Sequence, residues 1–465
     1  MPWVRKSSTL LYSGMIYPTS RPTSRPKAPT VAYLGNQFPT PVEPYVIEEI
    51  EEFRDRGVPI VAGSVRRPHT PEERALARDF AAEIVFLKPL RAWLLLRAAF
   101  LCLRRWNRIS GIVKRVIFHG KESPMQRAKA LLHTWMGAYY ALLLRERGVD
   151  HIHVHHGYFG SWIAMVAARL LGVGFSMTLH GSDLLVHRAY LDVKLATCTF
   201  CRTISEYNRS YILGHYPAVE ADKILVARLG VDLPEFPGHA PALIKQPRNR
   251  GSQFTLLAIG RLHKVKDHAF LLRACAQLRA GGLHFECLIA GDGPERRHLE
   301  SMIRKYGLEE TVTLLGHVPR EQMDSLYHRA DVVVLTSRSE GIPLVLMEAM
   351  ACGKLVLAPA ITGIPELILA GKTGFLYQPG SLGDFVARLH LIHSLLRTQG
   401  SPDHPSSPSI LSAARQLDWV RHGAKVFVCH NFNRKKNLRI FGNVFMRRIV
   451  PQAGSPRENS VLQQI

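Results

Sequence analysis

Acidic residues are scarce in this 465-residue chain: 37 Asp and Glu stand against 60 Lys and Arg, a formal net charge of +23. A balance of that sign favours an anionic partner, whether nucleic acid, anionic lipid or a phosphorylated small molecule. Long apolar runs are missing too. The longest candidate, AWLLLRAAFLCL from Ala92 to Leu103, is interrupted by Arg97 and falls well short of the roughly 20 apolar residues a membrane span requires. The seven cysteines are an odd number scattered without a framework, and no signal peptide precedes them, which excludes a disulfide scaffold and fits a reducing, cytoplasmic setting. Cys198 and Cys201 form a lone C-x-x-C inside TCTFCRTIS; with no second pair they read as buried strand cysteines. Helix-turn-helix, zinc-finger and aromatic RNA-binding signatures are absent as well, so no specific nucleic acid is expected. Nor is there a D-x-D motif of the kind that holds a metal.

The positive charge that is present is uneven. Lys88 to Lys129 contains Lys88, Arg91, Arg97, Arg104, Arg105, Arg108, Lys114, Arg115, Lys121, Arg127 and Lys129 against the single acid Glu122. Trp93, Leu94, Leu95, Phe100 and Trp106 are interleaved with them. This amphipathic basic stretch suits either a solvated helix face or a peripheral position on an anionic membrane surface.

The fold class follows from periodicity. Apolar runs that do not alternate, such as VAYLG, FSMTLHG, FTLLAIG and DVVVLTS, are separated by helical patterns that end in glycine. That is the signature of parallel strands buried on both faces. The reading is α/β, with two Rossmann-like doubly wound domains facing a cleft. Residues 1–29, with the tandem PTSRPTSRP, form a disordered leader. An N-terminal domain spans 30–235, with helical stretches at 91–105 and 125–147. A linker covers 236–253, and a C-terminal domain covers 254–397. A polar insert occupies 398–409, terminal helices over 410–449 return to the N-terminal domain, and 450–465 is a tail. A loop begins at Asn36, and Pro294 takes the first position of the helix that follows GDG.

Two strand–loop–helix units carry the chemistry. GRLHKVKD places Arg261 and Lys266 directly after FTLLAIG, where cations can hold a phosphate. In SRSEGIPLVLMEAM, Glu340 sits in a loop and Pro343 opens a helix, so the backbone N–H groups near Gly341, Ile342 and Leu344 face an incoming anion. Glu348 lies within a helix that reads as apolar nearly all round. A buried, unpaired carboxylate is costly, so a ligand diol is its expected partner. Gly291 belongs to a tight turn. His151, His153, His155 and His156 invite a zinc reading, but no Cys or acidic cluster in the sequence completes such a site.

Together, GR…K, the pair Glu340 and Glu348, GIPELI (363–368), GKTGFLY (371–377) and TLHGSD (178–183) resemble the family 4 glycosyltransferases of the GT-B fold, over roughly Thr30 to Arg448. The resemblance implies that Arg261 and Lys266 bind a donor diphosphate. It also implies that Glu340 and His180 contact the transferred sugar, that Gly341 to Leu344 approach sugar and phosphate, and that Glu348 takes the ribose. Asp183, Asn36 and Gly291 line the cleft. The activity implied is a retaining, metal-independent sugar transfer from a UDP-, GDP- or ADP-sugar co-substrate, with no other cofactor, to a glycan or lipid-linked acceptor. GNQFPTPVEPYVIEEI after the first strand, where many members carry a glycine-rich loop, and HNFNRKKNLRIFGNVF near the end are similar to the exopolysaccharide subgroup typified by colanic acid synthesis. Another enzyme on the same architecture, such as a nucleotide-sugar epimerase, and a non-catalytic binder of anionic polymer are the alternatives.

Overall fold

The structure is a computed structural model that describes residues 28–40, 43–80, 84–120, 122–186, 188–233, 253–399 and 408–450. The leader to residue 27, most of the linker and polar insert, and the tail from residue 451 lie outside the described residues. Seven strands form the first sheet: β1 (Val31–Gln37), β2 (Ile60–Arg66), β3 (Val85–Phe86), β4 (His151–His155), β5 (Gly174–Leu179), β6 (Phe200–Thr203) and β7 (Ile224–Val226). Their order is β3-β2-β1-β4-β5-β6-β7, with every pairing parallel. Six more form the second sheet: β8 (Phe254–Ile259), β9 (Phe285–Ala290), β10 (Val312–Gly316), β11 (Val332–Val334), β12 (Leu355–Pro359) and β13 (Phe375–Tyr377). Here the order is β10-β9-β8-β11-β12-β13, again parallel. The expected α/β class with two doubly wound sheets is what the chain adopts.

Both faces of each sheet are buried, and one strand shows how. Successive side chains of a strand point to opposite faces. Ala32 and Leu34 accordingly enter a core with Ile152, Val154 and Met177. Val31 and Tyr33 enter a second core with Phe53, Phe441 and Phe445. Phe441 and Phe445 come from the last helix among the described residues, Arg434–Ile449, which covers a face of the first sheet beside the Pro44–Asp55 helix.

Several local expectations need correction. The basic stretch contains three helices, Ala92–Arg104, Trp106–Phe118 and Pro124–Leu144, not two. The unpredicted middle one buries Ile109, Ile112, Val113 and Val116, a period that the surrounding arginines obscure. β1 runs on through Asn36, because Phe38 N–H finds Ser64 Oγ at 2.8 Å and keeps the chain extended. Cys198 caps the Leu191–Thr197 helix and is not part of β6. Pro343 is the N-cap of the Leu344–Ala351 helix, extended at ψ 122°, and helical geometry starts one residue later. Pro294 likewise lies before the Arg296–Lys305 helix, in a turn closed by Arg296 N–H to Gly293 C=O.

In each sheet the strand order reverses between two central strands, β1 and β4 or β8 and β11. Loops leaving the C-terminal ends of strands at such a reversal form a crevice. Residues 156–158 leave one sheet there, beside residues 180–183 from the neighbouring strand β5, and residues 260–266 and 335–343 leave the other.

Candidate active site

The C-terminal half of the site is built on two tight turns. Gly260 follows β8, and Gly291 follows β9 with φ 140°. A Cβ on Gly291 would lie 2.0 Å from Gly260 C=O, so glycine there lets the turn bearing Arg261 sit directly on its neighbour. Arg261 is exposed. Lys266 closes a short 3-10 turn, Lys264–Lys266, and Thr336 Oγ1 donates to its carbonyl at 3.0 Å. Its Nζ lies 2.5 Å from Glu340 Oε1, with the two side chains 22% and 12% exposed. The structure thus joins the two motifs that the sequence presents 74 residues apart. Thr362 Oγ1 donates to Glu340 C=O at 2.5 Å and fixes the loop from behind. Ile342 and Pro343 are buried, Gly341 and Leu344 half-buried, around the start of the Leu344–Ala351 helix.

Glu348 departs from expectation. Its helix is apolar nearly all round but not buried all round: Leu344, Val345 and Glu348 are half-buried. The carboxylate is already paired, because Tyr327 O–H donates to Oε2 at 2.6 Å. Partial burial raises its pKa, and the Tyr327 bond opposes that rise. Tyr327 is only 2% exposed and carries a phenol that burial and Glu348 push well up. Glu348 is thus neither fully buried nor unpaired. Glu348 Oε2 serves the fold through this bond.

The N-terminal half of the site is an aromatic and ionic cluster around His180, the residue just after β5. Its ring lies tilted against Tyr45 at 4.8 Å and packs 4.6 Å from His156, while its Nε2 lies 3.1 Å from His155 Nδ1. Burial, then the neighbouring His156 and His155, push its pKa well below the imidazole norm, so the ring is neutral. Asp183, fully buried, accepts from the N–H groups of Gly181 at 2.8 Å, Gly157 at 3.0 Å and His180 at 3.1 Å. It orders the loop and lies 3.6 Å from His156 Nδ1. His156, at φ 69°, reaches Glu43 Oε1 at 2.8 Å with Nε2. Burial disfavours its charged form, but Asp183 and Glu43 outweigh it and hold the pKa up at about 10. Asn36 stands half-buried at the end of β1.

Beneath this cluster lies a network that the sequence reading missed. Glu49 is fully buried and bonded by Arg202, Tyr33 and, at 3.1 Å, His155 Nε2. Phe441 of the last helix covers the Arg202 guanidinium at 3.9 Å. Burial would raise the Glu49 pKa, but Arg202 and His155 hold it well below the carboxylate norm. A signal was available: Val46, Glu49, Ile50 and Phe53 form the buried stripe of their helix, so Glu49 occupies a core position. Arg202 similarly sits within a wholly buried strand.

Glu49 also supplies the acid that the histidine strand lacked. One ligand atom each from Glu49, His153 and His155 lie within 4.8 Å of one another. Every one of those atoms already has a protein partner. His153 bonds Ser176 at 2.7 Å and Thr178 at 3.0 Å, and a guanidinium shares the carboxylate. A cation would have to displace Arg202, so the set fits a closed hydrogen-bond network and not an open ligand sphere.

The two halves meet directly. A Cβ on Gly341 would lie 2.3 Å from His180 C=O, and one on Gly181 would lie 3.3 Å from Gly341 N. Glu366 of GIPELI accepts from Glu206 N–H at 3.0 Å and Tyr207 N–H at 2.7 Å. It thereby caps the Glu206–His215 helix of the other domain. No role was foreseen for Glu366.

Residues 240–399 match the family described as glycosyl transferases group 1, so the chain carries a group 1 glycosyl transferase domain. The chain is 34% identical over 201 residues to WcaL of Salmonella typhimurium, named for colanic acid biosynthesis; that match spans 42% of this chain and 46% of the relative. To AmsK of Erwinia amylovora, named an amylovoran biosynthesis glycosyltransferase, it is 28% identical over 83% of this chain and 95% of the relative. Among solved structures, HepE of Anabaena in complex with UDP superposes with a TM-score of 0.62 at 17% identity, over 90% of this chain and 100% of that one. This fold likeness makes the architecture GT-B. The chain thus spans less than half the length of WcaL and nearly all of AmsK.

Proposed function

We propose that this protein is a retaining glycosyltransferase that moves a sugar from a nucleotide-sugar donor to a glycan or lipid-linked acceptor in exopolysaccharide or cell-surface polysaccharide synthesis. The observation that carries the reading is the 2.5 Å Lys266–Glu340 pair, set at the strand reversal of one domain and opposite His180 of the other. A nucleoside diphosphate leaves with negative charge, and preorganised cations lower the cost of that charge most where water is excluded. Lys266, exposed Arg261 and the N–H groups from Gly341 to Leu344 would hold the diphosphate. Glu340 would fix the sugar's hydroxyls, and Glu348, through the oxygen Tyr327 leaves open, the ribose.

In this reading the acceptor oxygen bonds to the anomeric carbon on the face from which the phosphate departs. The bond from that carbon to the phosphate oxygen breaks, and the acceptor proton passes to the leaving phosphate. Neutral His180 would donate a hydrogen bond to the transferred sugar without adding a charge beside it. Positioning and electrostatics, supplied by protein cations with no metal ion, would account for the rate. The names of relatives that act in colanic acid and amylovoran biosynthesis, and a fold shared with a UDP complex, support the polysaccharide pathway and a nucleotide donor.

The test is a thermal-shift screen of UDP-, GDP- and ADP-sugars, followed by nucleoside diphosphate release with and without acceptor. One nucleotide class should stabilise the protein, and release should require acceptor. No stabilisation by any of them, or release without acceptor, overturns the proposal.

A further inference from the structure

Twelve of the twenty exposed large apolar side chains among the described residues fall between Leu90 and Trp135. On the Ala92–Arg104 helix, Trp93, Leu96, Phe100 and Leu103 are 53%, 73%, 65% and 73% exposed. Their spacing puts all four on one stripe, while Leu94 and Ala98 of the opposite face are buried. On the Pro124–Leu144 helix, Leu132 and Trp135 form a similar stripe. Trp135 Nε1 donates to Leu95 C=O at 3.0 Å, which sets the two stripes side by side. A contiguous exposed apolar surface of this extent marks an interface.

The charge around the surface identifies its occupant. Residues 88–121 contain no acid. Exposed Arg97 and Arg104 flank the first stripe, and Lys114 and Lys129 are exposed on the neighbouring helices. Glu122, the one acid of the stretch, is held by Arg115 at 3.2 Å. A second copy meeting this face through its own would bring two cationic rims together, which is repulsive. A nucleic acid backbone has no use for exposed Leu and Phe. No helix among the described residues is long and apolar enough to cross a membrane.

We infer that the Ala92–Arg104 and Pro124–Leu144 helices form a monotopic docking face for an anionic lipid surface. The Trp93–Leu103 stripe enters the headgroup boundary, and the flanking Arg and Lys pair with lipid phosphates. His133, next to Leu132, stacks on Phe159 at 5.2 Å, three residues past His156, so the face adjoins the loop that borders the cleft. This deepens the proposed reading, since a lipid-linked acceptor would be met at that surface, but it stands on separate residues.

The experiment is flotation of the full chain with vesicles of phosphatidylcholine alone or mixed with phosphatidylglycerol, at low and high salt. The protein should float with the anionic vesicles and lose on the order of tenfold in binding at high salt. Leu96→Gln with Phe100→Ser, and separately Arg97→Glu with Arg104→Glu, should each lower binding by about tenfold or more, with unchanged melting because all four side chains are exposed. Failure of the parent protein to float with anionic vesicles at low salt overturns the inference. So does equal flotation of both variants, or a dimer that the Leu96→Gln, Phe100→Ser pair dissociates without vesicle binding. Nucleoside diphosphate release onto a soluble acceptor should be intact in both variants, so loss of flotation and loss of catalysis are told apart.

Discussion

Lys266 Nζ and Glu340 Oε1 lie 2.5 Å apart and neutralise one another across two loops that leave adjacent strands, β8 and β11. A charged pair this close, yet partly open to solvent, is poised to be shared with a third group. Lys266→Ala should therefore weaken nucleoside diphosphate binding by about tenfold or more and slow sugar transfer by roughly 100-fold. Glu340→Ala should slow transfer comparably while leaving diphosphate binding within about threefold. Calorimetric titration with the diphosphate, beside initial rates, separates the two. Unaltered rates in either variant would refute the assignment.

Glu348 is assigned to ground-state binding. Its replacement by Gln should raise the donor KM by about tenfold with kcat nearly unchanged. Tyr327→Phe removes the hydroxyl that holds one carboxylate oxygen and should give a smaller rise in the same direction. Steady-state kinetics over a range of donor concentrations measures both. A fall in kcat at constant KM would move Glu348 to the reacting centre.

The His156 cluster sets a pH signature in stability. The folded pKa of about 10 lies above the unfolded value near 6.5. Its contribution is therefore full below about pH 6.5 and disappears as pH rises through 10. Asp183 and Glu43 are depressed in the fold, so their contribution is present above about pH 4 and lost in acid. His156→Gln should lower the melting temperature by about 5 °C near pH 6 and by progressively less toward pH 10. A difference that does not change between pH 6 and 10 would show that His156 is not charged.

Glu366 links the domains through two backbone N–H groups. Glu366→Ala leaves the Glu206 and Tyr207 N–H groups without their acceptor while Ser205 still caps Asn208 N–H, a loss of about 1 kcal/mol. Amide exchange at Glu206 and Tyr207 should quicken by about fivefold while exchange in the β4 and β5 strands is unaltered. Exchange mass spectrometry resolves this directly.

The fold class was legible in the sequence because buried parallel strands announce themselves as unbroken apolar runs. Individual boundaries were not. The Trp106–Phe118 helix hides its period behind arginines, and β1 outlasts its apolar residues because Ser64 holds Phe38 from the next strand. Lys266 and Glu340 could be named from their loops, but that they touch is a tertiary fact. Glu49 and Arg202 were passed over for a different reason. Charged residues are ordinarily assigned to the surface, and only their positions in a helix stripe and a buried strand betrayed them. Glu348 shows the converse error, where burial was inferred from neighbours while Tyr327 stood ready as a partner.

The chain passes between the domains twice, and the two crossings are joined. Val231 N–H donates to Phe432 C=O at 2.9 Å, and Arg434 N–H donates to Val231 C=O at 3.1 Å. A Cβ on Gly230 would sit 2.5 Å from that same Phe432 carbonyl. Beyond this seam, Phe441 and Phe445 complete a core that Val31 and Tyr33 began. On the ribosome, then, the first domain cannot finish folding when its own strands have emerged. Part of one face of its sheet waits for the Arg434–Ile449 helix, so a stop codon ahead of that helix would be felt as a defect in a domain made long before it.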